Sequence, residues 1–300
     1  MKQFAKKENL LALGISTVGE RINELPHIFE KCNLRDFDEI IIVAQKSSPE
    51  KIRHLIKQLG KIKKLRVIID KKTGLSRSRN IVLKVAESDY VWFVDDDVQI
   101  AENAVLKIKE AIRKEMGKII LVKAQCSDCD RSYRKPRLTG NLSKLYLCRV
   151  SSIEIVVPKN KLIENKIFFD ERIGLGTNVP TGEEVLALLE CFDKRIKIYD
   201  CGQFLISHPC NENKYPPEFY TKTEILLMRG ILARRVGFII GLPLALKWGI
   251  YNLKYNKSAS VFYHLFRGFF INDIERVTGF EVKSEIFDEN SVRNYQQVEL

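Results

Sequence analysis

Tyr90-Val91-Trp92-Phe93-Val94-Asp95-Asp96-Asp97-Val98 is the stretch whose reading decides the fold. The apolar run from Tyr90 to Val94 is β-branched and aromatic, too short for a helix and suited to a buried strand. The carboxylates that follow cannot lie in the core, because burying unpaired charge is costly. They belong at the rim of a sheet, where parallel-sheet proteins place their ligand crevices. Carboxylates on either side of one position suit a hard divalent cation that phosphate oxygens also hold. An acidic turn with no ligand is the plain alternative, and the surrounding chain decides between the two.

Upstream, strands and helices alternate. Leu10–Ser16 reads as the first strand, and Thr17-Val-Gly-Glu-Arg21 as a polar turn into a helix ending near Asn33. Glu39–Ala44 is a second buried strand. Ser48-Pro49-Glu50 opens another helix, with serine as cap and proline in the first turn. Leu65–Asp70 is a third strand, and Thr73-Gly-Leu-Ser76 leads into a helix through Glu87. Continuous apolar strands separated by helices predict an α/β fold: a mostly parallel sheet with helices on both faces.

Downstream, Ala101–Met116 has the pattern of an amphipathic helix and Lys118–Ala124 that of a strand. Ser127–Asn141 reads as a polar loop, Ser151–Pro158 as a strand and Lys159–Asn165 as a short helix. A turn-rich segment, Gly174-Leu-Gly176-Thr-Asn-Val-Pro180-Thr-Gly182, precedes a helix over Glu183–Phe192 and a strand at Ile196–Tyr199. Gly174-x-Gly176 follows no clear strand and lacks the later glycine of a dinucleotide fingerprint, and no P-loop lysine motif occurs.

The chain of 300 residues, 45% apolar and 29% charged, can bury a large core. Its net charge of +12 predicts attraction to polyanions such as nucleic acid, nucleotide phosphates or anionic lipid. From Lys214 to Arg267 there are nine Lys/Arg and two Glu, so +7 of the +12 lies there. The seven cysteines are scattered, and no convincing signal peptide precedes them. A reduced, cytoplasmic setting is the simplest account. Cys126-x-x-Cys129 has no second pair at zinc-ribbon spacing, and Asp128 and Asp130 mark it as polar loop.

Beyond Pro216 the composition turns to long apolar, basic helices. Val236–Leu246 runs eleven residues without charge. That is short of the roughly 20 needed to span a bilayer, and Pro243 interrupts it. Trp248, Tyr251, Tyr255, Phe262, Tyr263 and Phe266 interleave with Lys247, Lys254, Lys257 and Arg267, as in a helix lying on an anionic membrane surface. A helical cap with a basic outer face has the same composition. The chain therefore divides into residues 1–213, the α/β part, and 214–300, helical.

Taken together, Gly74-Leu-Ser-Arg77-Ser-Arg79-Asn80, the Asp95–Asp97 strand end, Phe169-Asp170-Glu171 with Gly174-x-Gly176, and Gly182-Glu183-Glu184 resemble, in order and spacing, the family-2 glycosyltransferases of the GT-A fold. The similarity runs from about Leu10 to His208. It implies inverting transfer of a sugar from a nucleotide-sugar donor, a UDP-sugar first among them, with Mg²⁺ or Mn²⁺. Asp95 and Asp97 match the family's Asp-x-Asp, the second resembling the direct metal ligand and the first lying nearer the ribose, with Asp96 between them. Glu184 matches the family's general base and Glu183 its neighbour. Glu184 is one methylene longer than the usual aspartate. His208 resembles a histidine near the metal or diphosphate. Thr17, Glu20 and Arg21 match the loop bordering the nucleotide. Arg77, Arg79 and Asn80 lie on the helix before the acidic strand, where arginines offer bidentate donors to phosphate. The family's Asp-rich turn after the second strand is replaced by Ala44-Gln45-Lys46-Ser47, leaving Gln45 and Asp70 as candidates for the base.

The implied acceptor is a glycan or a lipid-linked sugar, as in cell-surface polysaccharide synthesis, at the cytoplasmic face of a membrane with peripheral contact. Nucleic-acid binding is the reading from charge alone. The positive charge sits in an apolar helical segment and no nucleic-acid motif appears, so no nucleic-acid partner is expected. A metal-dependent nucleotidyltransferase would use paired aspartates too, but gives no reason for Gly182-Glu183-Glu184.

Overall fold

The computed structural model describes residues 9–60, 62, 64–129, 142–209, 219, 221–278 and 296–298. The boundary expected at 213/214 and most of the Ser127–Asn141 loop lie outside the described residues.

Strands β1 (Leu11–Val18), β2 (Glu39–Gln45), β3 (Leu65–Asp70) and β4 (Tyr90–Asp95) are parallel and lie in the order β4-β1-β2-β3. Their side chains alternate between two cores. Leu13, Ile15, Ile42, Trp92 and Val94 enter one, and Ala12, Ile41, Val43, Val91 and Phe93 the other. Both faces are thus covered, which is why these strands read as unbroken apolar runs. Helix α1 (Pro49–Leu59) covers the first face, its Ser48 hydroxyl accepting from Lys51 N at 3.4 Å. Helix α2 (Leu75–Val85) covers the second, against Gly14, where a Cβ would come within 2.5 Å of Val82.

The segment expected as the first helix is a 3-10 turn series, Gly19–Phe29, with Pro26 inside it. Proline lacks the amide donor an α-helix needs there. β1 also runs past its expected end: Thr17 pairs with Ala44 and Val18 with Gln45, so Thr17 is a strand residue.

Beyond β4 the sheet becomes mixed, with the order β5-β8-β6-β7-β4-β1-β2-β3-β9 among the described residues. β5 (Gln99–Ile100) and β8 (Ile198–His208) are antiparallel, β6 (Ile119–Cys126) runs parallel to β8, and β7 (Ile155–Pro158) is antiparallel to both β4 and β6. β9 (Gln296–Val298) closes the far edge antiparallel to β3. The front of the expected Ser151–Pro158 strand is a 3-10 turn over Ser152–Glu154, held by Glu154, which accepts from Ser151 N at 2.8 Å and Ala124 N at 3.1 Å. Helices α3 (Ala104–Lys114), α4 (Lys144–Leu147), α5 (Lys159–Glu164) and α6 (Glu183–Asp193) complete the layers.

Cys126 is disulfide-bonded, whereas Cys32, Cys129, Cys148, Cys191 and Cys201 form no disulfide. The expectation of fully reduced thiols therefore fails at Cys126, and the bond removes Cys126-x-x-Cys129 as a zinc pair.

The C-terminal helices are α7 (Thr223–Val236), α8 (Phe238–Leu253), α9 (Ser260–Ile271) and α10 (Ile274–Thr278). Met228, Ile231 and Leu232 of α7 share a core cluster with Leu188 and Leu189 of α6. Among the described residues no helix is long and apolar enough to cross a membrane.

Candidate active site

Three strand ends converge on the carboxylates. Asp95 closes β4, Thr17 lies near the end of β1, and His208 ends β8. The Thr17 hydroxyl donates to Asp96 Oδ2 at 2.8 Å. Arg21, on the 3-10 segment after β1, pairs with Asp96 and lies 3.1 Å from Asp97 Oδ2. Burial pushes the Asp96 carboxyl above the usual range, opposed by the Thr17 hydrogen bond and the Arg21 charge. The acid in the middle of the run is therefore the anchor that fixes the strand end, while its neighbours Asp95 and Asp97 keep part of their surface exposed.

His208 is buried, and its Nε2 lies 3.1 Å from Asp97 Oδ1. Its Nδ1 is 2.7 Å from Pro209 O, a carbonyl that can only accept, so Nδ1 carries the proton. A carbonyl behind Nδ1 is the support typical of a histidine that binds metal, and it leaves Nε2 facing Asp97. Among the described residues no group of three His, Cys, Asp or Glu forms a ready-made metal cage. The pair Asp97 and His208 nonetheless fits Mg²⁺ or Mn²⁺ shared with phosphate oxygens, for which one or two protein ligands suffice.

A second network joins the acidic strand to α6. Arg79, only 1% exposed, donates from Nη1 to Glu183 Oε1 at 3.1 Å and from Nη2 to Asp95 Oδ1 at 3.3 Å. Its guanidinium also lies over the Phe169 ring, 5.5 Å from the centroid. Arg79 therefore holds Asp95 and Glu183 together from inside the protein, a different role from the phosphate donor the helix position suggested. Burial, reinforced by Glu184, pushes the Glu183 carboxyl up to about 7 against the opposing charge of Arg79. Glu184, the next residue, is half-buried. Gly182 before them sits at φ +94°, where a turn must reverse directly into the helix.

A third group lines the amino end of α2. Arg77 Nε lies 2.8 Å from Asp70 Oδ2, and its Nη1 3.4 Å from Glu171 Oε2. Asn80 brackets Phe169, donating to its carbonyl at 2.8 Å and accepting from its amide at 2.9 Å, and it donates to Glu171 at 3.0 Å. Gln45 does the same to Gly74, with contacts of 3.1 and 3.0 Å. Both side-chain amides thus bind backbone in this structure. Glu20 is exposed and pairs with Lys51. Glu171, quoted above only as part of a motif, proves to be a hub between Arg77 and Asn80.

The glycines of the turn-rich segment have a packing role. A Cβ on Gly176 would lie 3.2 Å from the Gly74 backbone, and one on Gly174 2.8 Å from Ser76 Oγ. Leu75 N donates to Leu175 O at 2.9 Å, and Ser76 Oγ to Ile173 O at 2.6 Å. The segment thereby seals the amino end of α2.

Carboxylates at the carboxyl ends of parallel strands, with an imidazole among them and arginines behind, define an α/β protein with its polar cluster at the sheet rim where such folds bind ligands. The sequence profile of glycosyl transferase family 2 matches residues 15–178. The chain belongs to that family and is a glycosyltransferase of the GT-A fold. Its structure is similar to S. aureus TarS 1–349, with a TM-score of 0.64 and 15% identity over 89% of this chain and 82% of that one. The same fragment in complex with UDP-GlcNAc gives 0.63 and 16%, and in complex with UDP 0.61 and 17%, with the same coverage. At such identities the likeness concerns the fold. A search of curated protein sequences found no match.

Proposed function

We propose that this enzyme transfers a sugar, with inversion, from a UDP-sugar to a hydroxyl of a glycan or lipid-linked acceptor. The observation that carries the reading is the Asp95–Arg79–Glu183 link, which ties the amino end of α6, with Glu184, to the aspartate run. Donor and base are thus held by one buried cation. Glu184 takes the proton of the acceptor hydroxyl as its oxygen attacks the anomeric carbon. The bond from that carbon to the diphosphate breaks, and its electrons leave with UDP. Glu183 positions the helix rather than acting as the base, because its carboxylate is buried against Arg79. A divalent cation held by Asp97 and His208 would neutralise the diphosphate as it departs. Asp95 would border the same ion and the ribose, and Asp70, Arg77 and Gln45 would form the wall beside the nucleobase. TarS in complex with UDP-GlcNAc and with UDP supports the choice of UDP.

The test is a donor screen with Mg²⁺ or Mn²⁺ and short glycan acceptors. Acceptor-dependent release of UDP is the expected result. Release of pyrophosphate from a nucleoside triphosphate and a sugar phosphate would make the enzyme a nucleotidyltransferase instead.

A further inference from the structure

The C-terminal helices pack with their small residues inward. On α8, Gly241, Ala245, Gly249 and Asn252 are buried on one face. A Cβ on Gly241 would sit 1.9 Å from Ala233 O, and one on Gly249 2.3 Å from the Phe262 ring. This face therefore meets the backbone of α7 and the Phe262 ring of α9 at close range. The large side chains point the other way: Ile239 is 85% exposed, Ile250 66%, Ile240 54% and Leu246 42%. Pro243 is exposed among them, so positions 239, 243, 246 and 250 form a stripe along the helix. At its amino end Phe238, 50% exposed, packs at a tilt against the buried Phe269, and the neighbouring Phe270 of α9 is 67% exposed. A water-facing hairpin would show the opposite arrangement, and contiguous apolar surface of this kind marks a docking site.

Charge identifies the occupant. From Gly237 to Ile271 there is no Asp or Glu, while Lys247, Lys254, Lys257 and Arg267 are exposed. A second copy on this face would set lysine against lysine, whereas an anionic bilayer accepts both the apolar stripe and its basic border. Arg234 is not part of that border: its guanidinium lies 5.0 Å from the Phe238 ring centroid and 5.8 Å from that of Phe269, pinning α8 to α9.

We propose that the outward face of α8, extended by Phe270, docks on an anionic lipid surface. Ile239, Ile240, Leu246 and Ile250 enter the boundary between headgroups and acyl chains, and Lys247, Lys254, Lys257 and Arg267 meet the headgroups. Docking fixes the orientation of the site, because α7, on which α8 packs, shares its core with α6. The inference rests on the C-terminal helices alone and is independent of the sugar-transfer reading.

The full chain is sedimented with vesicles of phosphatidylglycerol and phosphatidylcholine, or of phosphatidylcholine alone, at low and high salt. Thermal melting and UDP titration of the same samples report folding and the donor site separately. The wild type should sediment with the anionic vesicles and progressively less as salt rises. Each basic side chain near the surface is worth about fivefold in partitioning, so Lys247→Glu with Lys254→Glu should lower it by at least about 25-fold. Ile239→Ser with Ile250→Ser should weaken it about as strongly, with an unchanged melting temperature. A folded wild type left in the supernatant at low salt, or one equally bound to neutral vesicles, would overturn the proposal. So would a wild-type dimer that the Ile239→Ser, Ile250→Ser pair splits into monomers, which assigns the face to a second copy.

Discussion

Replacing Arg79 tests the buried link on which the site is built. Arg79→Met keeps the length and apolar bulk of the side chain but removes the charge between Glu183 and Asp95. Asp95, whose side chain is 26% exposed, can turn to water, but Glu183, with 7%, cannot. Breaking a buried pair from one side costs about 3–5 kcal/mol, chiefly for the charge left behind. The cost depends on pH because burial holds Glu183 at about 7. At pH 8 the wild-type carboxylate is ionised, so losing Arg79 either leaves a buried charge unpaired or drives the carboxyl to take up a proton, at a cost in both cases. At pH 5.5 it is largely protonated, and the same substitution costs less. Glu183→Gln removes the charge that Arg79 compensates, so the double variant Arg79→Met, Glu183→Gln should be more stable than the sum of the single costs allows. Urea unfolding followed by circular dichroism at both pH values supplies the cycle. A coupling energy below about 0.5 kcal/mol at pH 8, the scatter of independent sites, would refute the reasoning.

Glu183 also sets a slope in stability. Its folded value, about 7, lies above the ordinary 4.5, so between these values the folded state keeps a proton that the unfolded chain has lost. Its contribution is present in full below pH 4.5 and is lost as pH rises to about 7, by up to about 3 kcal/mol; Glu183→Gln should flatten that slope in urea midpoints. Glu184→Gln should lower turnover by about 10²–10⁴ with UDP binding unchanged, and if Glu183→Gln alone were the crippled variant, the base would be misassigned. Gly176→Ala, at φ +88° with backbone 3.2 Å from the new Cβ, and Gly174→Ala, at φ +107° with Ser76 Oγ 2.8 Å away, should each lower the melting temperature. Unchanged thermal melts would mean that the seal over α2 yields.

Residues 10–98 were readable because every strand there is covered on both faces, so each apolar run stands out whatever its neighbours. The rest of the sheet was less so. β5 and β9 have two and three residues, too few to show a period, and β8 continues well past the expected Tyr199 through polar residues. The acidic run was visible as chemistry, but its internal division was not. That Asp96 anchors while Asp97 meets His208 depends on strands far apart in sequence. Arg79 is the sharpest case: an arginine on this helix reads as a donor to phosphate, and only the fold shows it buried between two acids. Gly174 and Gly176 looked like a failed dinucleotide motif because close backbone approach leaves the same glycine signature in both settings. On α8 the apolar content was evident, yet the choice of the small residues as the packing face appears only against α7 and α9.

The most direct measurement is a calorimetric titration of UDP into the wild type and Asp97→Asn, each with and without Mn²⁺. The proposed site predicts metal-dependent UDP binding by the wild type, weakened at least about tenfold by the loss of one carboxylate from a two-ligand set, with the melting temperature preserved. UDP binding that ignores both the metal and Asp97, or no UDP binding by a folded wild type, would contradict it.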